Sequence, residues 1–161
     1  MDKKEFVRMI YHSCSGEVDP LFITAQAILE SGWGKNVIGK YNFFGVKRGS
    51  WKGYYRLVKT REVLSHGDLK LVAPEVVLSC TLRKDGKYEY RCLMAFRDYS
   101  SLEEALKDHE EVLRRFTNAW EYRKDGKRFV EELQRGKIRY ATDPNYVKII
   151  NSLFTSVIRR L

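Results

Sequence analysis

The chain has 161 residues, 43% of them hydrophobic, and a net charge of +9 from 30 Lys and Arg against 21 Asp and Glu. That length predicts one domain whose core needs no metal or disulfide staple, and the hydrophobic fraction excludes a disordered polymer. No stretch approaches the ~20 apolar residues of a membrane span, so no membrane insertion is expected.

Residues 3–13 are predicted to form a short helix with Phe6, Val7, Met9 and Ile10 on its apolar stripe, stopped by Ser15 and Gly16. Asp19-Pro20 opens a second helix. The Asp side chain can accept an orphan backbone N–H, and Pro at the first helical position has none to lose. From Pro20 to about Ser31 this helix is apolar almost all round, which marks a buried central helix. Gly32 and Gly34 end it. Residues 40–99 change character, with short Tyr, Phe, Val and Leu runs between Gly, Asn and Asp. Val76–Arg83 and Lys87–Phe96 flank Lys84-Asp85-Gly86, a hairpin signal. Helices return after Tyr99. Ser101-x-x-Glu104 reads as a capping box, and its helix runs to about Phe116. A short helix covers about 127–135. Asp143-Pro144 repeats the earlier start signal, and the last helix has Val147, Ile150, Phe154, Val157 and Leu161 at spacings of three and four. Helices, a β insertion and helices again make an α+β fold.

The positive charge suits nucleic acid, an anionic membrane surface or an anionic wall polymer. Lys and Arg are spread from Lys3 to Arg160 rather than gathered on one element, so no nucleic acid is expected. The N-terminus lacks the apolar h-region of a secretory signal, which implies synthesis without a visible leader. Cys14, Cys80 and Cys92 lack metal-type spacing and are expected as thiols, with a Cys80–Cys92 bridge across the hairpin left open. His12, His66 and His109 form no ligand pair, so no zinc site and no other metal is expected.

Glu30 lies near the C-terminal end of the apolar helix. Poor solvation and the partial negative charge of a helix C-terminus would both raise its pKa. A carboxyl that is still protonated can serve a leaving group as general acid. On spacing alone, a surface Glu on the wet edge of that helix is equally open.

Ala25-Gln26-Ala27-Ile28-Leu29-Glu30-Ser31-Gly32-Trp33-Gly34 is followed by Tyr41-Asn42-Phe43-Phe44-Gly45-Val46-Lys47. This resembles the "AQ-x-x-x-ES-x-WG … N-x-FG-[IV]-K" pattern of the peptidoglycan-cleaving glucosaminidases of glycoside hydrolase family 73. Phe96-Arg97-x-Tyr99-x-Ser101 resembles the family's "FR-x-Y-x-S" segment, and Tyr140-Ala141-Thr142-Asp143-Pro144-x-Tyr146 its "YATDP-x-Y" segment. The resemblance covers residues 18–155. It implies a lysozyme-like α+β domain spanning 1–161, with a helical lobe, a small β lobe at about 46–98 (an extended hairpin insertion) and a cleft between them.

By that resemblance Glu30 is the general acid and Tyr140 the active-site tyrosine. Gln26, Trp33, Asn42, Phe44 and Tyr146 are candidate substrate-binding residues, although Trp33 and Phe44 also suit the core, Asn42 a loop brace, and Tyr146 packing on the last helix. A second carboxylate is needed on the other face of the sugar. The family carries it in a "T-x-E" segment after "W-x-G". Trp51-Lys52-Gly53 followed by Thr60-Arg61-Glu62 assigns it to Glu62. Residues 63–95 exceed the family's usual length here and bring Asp68, Glu75 and Glu89 as rivals.

The implied activity is an endo-β-N-acetylglucosaminidase that cuts β-1,4 bonds in peptidoglycan glycan strands, without a cofactor and as a monomer. It would act on the bacterial wall or periplasm, with phage- or prophage-type release consistent with the absent leader. A muramidase, a lytic transglycosylase and an inactive wall-binding or virion protein are the alternatives.

Overall fold

A computed structural model describes all residues, Met1–Leu161. Helix α1 (Lys3–Ser13) opens with a reciprocal cap absent from the sequence expectations: Asp2 accepts the Glu5 N–H and Glu5 accepts the Asp2 N–H, both at 2.8 Å. Helix α2 (Pro20–Ser31) begins at the Asp-Pro signal, where Asp19 Oδ1 accepts the Leu21 N–H at 2.9 Å. The other Asp19 oxygen takes the Gly126 N–H at 2.8 Å, at the start of a later helix. One carboxylate thus satisfies orphan donors of two helices. Residues 22–28 are all buried, as the all-round apolar pattern requires.

The β lobe has strands β1 (Tyr55–Leu64), β2 (Val76–Leu82) and β3 (Tyr88–Arg97), in the antiparallel order β1-β3-β2. Residues 40–54 hold no strand, only isolated bridges such as Lys47 with Phe96. The hairpin turn lies where Lys84-Asp85-Gly86 places it: Gly86 has φ +81° and the Arg83 N–H meets the Lys87 carbonyl at 2.8 Å. The extra length does not prolong that hairpin outward. After Leu64 the chain crosses the sheet face formed by Tyr90, Cys92, Met94 and Phe96, where Leu69 and Leu71 pack. Tyr90 donates its phenol proton to the His66 carbonyl at 2.6 Å. The chain then adds β2 along the free edge of β3. The apolar face of β3 needs a cover, and the insertion supplies it. Register pairs Cys80 with Tyr90 and Cys92 with Val77, so Cys80 and Cys92 are not opposite each other; all three cysteines are free thiols.

Helix α3 (Leu102–Arg114) is capped by Ser101, whose hydroxyl accepts the Glu104 N–H at 3.1 Å. Glu104 returns to the N–H of Ser100 rather than Ser101, so the expected box closes one residue early. A short α4 (Thr117–Trp120), not foreseen, precedes α5 (Gly126–Arg135). Helix α6 (Tyr146–Ile158) starts later than the second Asp-Pro predicts. Asp143 instead takes the Asn145 N–H at 2.8 Å in the preceding turn. Leu161, expected on the buried stripe, lies past the helix end, and its carbonyl accepts from Arg8 at 2.7 Å. α2 packs against α1, α5 and α6 and forms the centre of the core. No helix is long and apolar enough to cross a membrane.

Candidate active site

Glu30 sits in the last turn of α2, just before an abrupt stop. Ser31 bonds back to the Ala27 carbonyl at 2.5 Å and accepts the Gly34 N–H at 2.8 Å. Gly32, Trp33 and Gly34 then turn left-handed in succession, at φ +57°, +63° and +77°. A Cβ at Gly34 would lie 2.8 Å from the Phe6 ring, so this position needs glycine for space as well as for φ. Trp33 tolerates its strained conformation because it is anchored: Lys3 Nζ and Arg160 Cζ lie 4.6 and 4.9 Å from its ring centroid. Its half-exposed indole joins the start of α1 to the end of the chain.

Glu30 is itself exposed at the helix end, while the protein packed behind it removes enough solvent to raise its carboxyl above the usual range. That loss of solvation is the sole cause; no carboxylate of the sheet adds to it. Two phenols stand near it. Tyr140 and Tyr146 are both raised well above the ordinary tyrosine range, first by burial, with the charge of Glu30 contributing. Their ring centroids are 5.7 Å apart. Tyr140 is held by its backbone N–H on the Leu133 carbonyl at 3.1 Å. The neighbouring Ala141 is gripped at both N–H and C=O by the Gln134 amide, at 2.9 and 2.8 Å.

Gln26 is fully buried, with both ends of its amide engaged. Its NH2 donates to the Tyr146 hydroxyl at 2.8 Å, and its carbonyl faces His109 Nε2 at 2.7 Å. Within this structure it supports Tyr146 from behind and has no exposed surface. Burial lowers His109 to about 3, so the ring is neutral; with Nε2–H donating to Gln26, Nδ1 carries the lone pair and has no partner. Phe44 stacks flat on this imidazole, with centroids 3.7 Å apart and 1° between planes. Asn42 uses its whole amide on backbone: it donates to Val46 and Arg97 carbonyls at 3.0 and 2.9 Å and accepts the Val46 N–H at 2.9 Å. It braces the loop, with both N–H donors spent and the side chain buried. His109 and Gln134 were missed as site residues. The sequence signal for His109 was a polar residue, beside Glu110, on the Leu106–Leu113 stripe of α3.

The other motifs also have internal tasks. Arg97, almost wholly buried, pairs with Asp108 at 2.7 Å and donates to the Lys47 carbonyl at 3.0 Å. Tyr99 donates to the same Asp108 oxygen at 2.5 Å. A Cβ at Gly53 would lie 2.6 Å from the Trp51 indole, which explains Trp-x-Gly as a packing unit.

On the sheet, Thr60 and Glu62 face the same side because they are two apart. Their register partners are Cys92 and Tyr90. Glu62 is half-buried and takes part in none of the ion pairs. The Thr60 hydroxyl beside it is buried without a partner. Of the rivals, Glu75 accepts the Ala95 N–H at 2.9 Å and so fastens the insertion to β3. Glu89 points to the opposite face, bonded to Arg61 at 2.5 Å, which holds its carboxyl below the ordinary range. Asp68 is exposed and pairs with His66. No group of three or more His, Cys, Asp or Glu side chains is placed to hold a metal ion.

Comparison with known proteins bears on this arrangement. The family profile Glucosaminidase, described as mannosyl-glycoprotein endo-beta-N-acetylglucosaminidase, matches residues 12–158. The peptidoglycan hydrolase FlgJ of Pseudomonas aeruginosa is 34% identical over 81% of this chain and 30% of its own length. The exo-glucosaminidase LytG of Bacillus subtilis is 30% identical over 83% of this chain and 42% of its own. The chain thus spans less than half the length of these two curated relatives. A solved glycoside hydrolase domain from Salmonella typhimurium FlgJ superposes with a TM-score of 0.70 at 29% identity, over 98% of this chain and 99% of that one. The α+β architecture is accordingly lysozyme-like, and the chain belongs to the glucosaminidase family of peptidoglycan-cleaving glycoside hydrolases, family 73.

Proposed function

We propose that residues 1–161 act as one catalytic domain that hydrolyses β-1,4 bonds within peptidoglycan glycan strands after N-acetylglucosamine, with Glu30 as general acid. The observation that carries this reading is the Glu30 carboxyl: it stands at the open end of a buried helix, raised by lost solvation, beside the buried phenol of Tyr146 and the half-buried one of Tyr140. Such a group keeps its proton to higher pH and can deliver it to the glycosidic oxygen as the bond breaks. Tyr140, neutral because ionisation is disfavoured, offers a phenol proton to a substrate acetamido group. Glu62 supplies negative charge on the opposite face of the sugar, as a base for water or a stabiliser of the developing cation. Its support is the Thr-x-Glu match together with a carboxylate that no cation has claimed. No metal or organic cofactor takes part. The +9 charge favours a polymer bearing stem-peptide carboxylates and anionic neighbours.

The test is digestion of purified peptidoglycan, borohydride reduction and mass analysis of the fragments. Endo-glucosaminidase action gives oligomers ending in reduced N-acetylglucosamine. Reduced muramic ends or anhydro ends would place the scissile bond or the chemistry elsewhere. Release of single terminal sugars alone would make the enzyme exo-acting, as the name of the Bacillus subtilis relative states for that protein.

A further inference from the structure

We infer that the cavity next to Tyr140 is a subsite for a stem-peptide residue, which it grips by that residue's carboxylate through Arg115 and Lys47. This rests on the reading of peptidoglycan as substrate and adds a recognition element to it. The cavity measures about 380 Å³, and its wall includes Tyr140, Phe44, Phe116, His109, Lys47 and Arg115. That volume falls in the ~300–1,000 Å³ range of small-ligand sites.

Three features of the wall define the ligand. The first is charge. Arg97 also borders the cavity, but Asp108 neutralises it. Arg115 and Lys47 are exposed and enter no ion pair, so two cations border the space with no anion between them. A neutral sugar ring would offer them nothing to oppose; a carboxylate would. The second is the unused acceptor. His109 is neutral and gives its Nε2 proton to Gln26, so its Nδ1 is the one wall nitrogen that wants an N–H donor. The third is the apolar surface of Phe44 and Phe116, which suits a short aliphatic side chain. An amide N–H, a small apolar group and a carboxylate together make an N-acylated amino acid. In a peptidoglycan strand such residues occur in the stem peptides, carried on alternate sugars beside the bond to be cut.

The experiment compares kcat/KM on three substrates: native peptidoglycan, the same material with its carboxylates amidated, and glycan strands stripped of their peptides. Two ion pairs made by exposed cations at the edge of a cavity predict a preference for the native material of about five- to tenfold over both others. Arg115→Glu brings the ratio near one, and Arg115→Lys retains most of it. Lys148→Glu, the same charge change on the exposed face of α6, leaves the ratio unchanged. Equal rates on all three substrates by the unaltered protein would overturn the subsite, as would a preference that survives Arg115→Glu or is lost equally in Lys148→Glu. Native and amidated material cleaved alike, with stripped strands poor, would overturn the carboxylate assignment. Failure to cleave any of the three would overturn the glycan reading itself, and the subsite with it.

Discussion

Glu30 and Glu62 are carried by parts of the molecule built in opposite ways. Glu30 ends a helix that packs inside a cluster of 21 buried residues, whereas the sheet bearing Glu62 has a buried cluster of 4. Around Glu30 a connected set of bonds holds the polar neighbours, with His109 Nδ1 the one buried atom left over: Ser31 closes the helix end, Gln26 joins Tyr146 to His109, and Gln134 fixes the loop after Tyr140. Around Glu62 the ties are few, and the hydroxyl of Thr60 beside it is left unsatisfied. The difference suits the two roles. A proton donor must be held within hydrogen-bond reach of one oxygen. A carboxylate that steadies charge across a sugar ring can sit on a lobe that adjusts to a long polymer, since catalytic contacts often tighten only in the bound complex.

The largest effect is expected on the sheet. Glu62→Gln is expected to lower turnover about 10²-fold or more, a full general-base or charge-stabilising effect. Glu75→Gln should stay within about threefold of the unaltered protein, because a glutamine carbonyl still accepts the Ala95 N–H. Rates on one peptidoglycan preparation decide it. The reverse result would mean that Glu75, on the insertion, holds the catalytic position.

On the helical side, Tyr140→Phe should lower kcat about tenfold and leave KM within about twofold, the loss of one hydrogen bond made in the transition state. The ring contacts with Phe116 and Tyr146 remain in the variant. A fall in stability with unchanged specific activity would make the phenol a packing group.

A gentler test uses acid. The unfolded chain protonates His109 near 6.5, whereas in the fold burial delays this to about 3. The unfolded state therefore binds the extra proton first. Stability should decline as pH falls from about 6.5 toward about 3, at up to ~1.4 kcal/mol per pH unit from this group. Nitrogen NMR of the imidazole should show a neutral ring at pH 5. Titration near 6.5 would mean that the Gln26–His109–Phe44 assembly is open to water.

What could be read from the sequence follows the same division. The bounds of α1 and α2, the stop after Ser31 and the interest of Glu30 were legible because they rest on local signals: Asp-Pro, an all-apolar run, and paired glycines. The β lobe was legible as β, but not in its layout, because pairing β1 with β3 and laying β2 on the outer edge are non-local choices. They follow from the need to cover Tyr90 and Cys92, which no short window reveals. The roles given to Gln26 and Asn42 failed for a related reason. An amide in a motif looks available until its partners are known, and each of these two has a long-range one: His109 for the first and Arg97 for the second. Asp143-Pro144 was a true turn signal read one element too far, since a carboxylate accepts an N–H two residues on whether or not a helix follows.

The most direct test of the central claim is the rate of peptidoglycan cleavage by Glu30→Gln, measured beside its thermal unfolding. A loss of about 10²–10⁴-fold is expected, the usual worth of general acid catalysis. The midpoint at neutral pH is expected to equal or exceed that of the unaltered protein, because a neutral amide avoids the cost of a poorly solvated carboxylate. A folded variant that keeps more than about a tenth of the activity would contradict the claim and remove Glu30 from the mechanism.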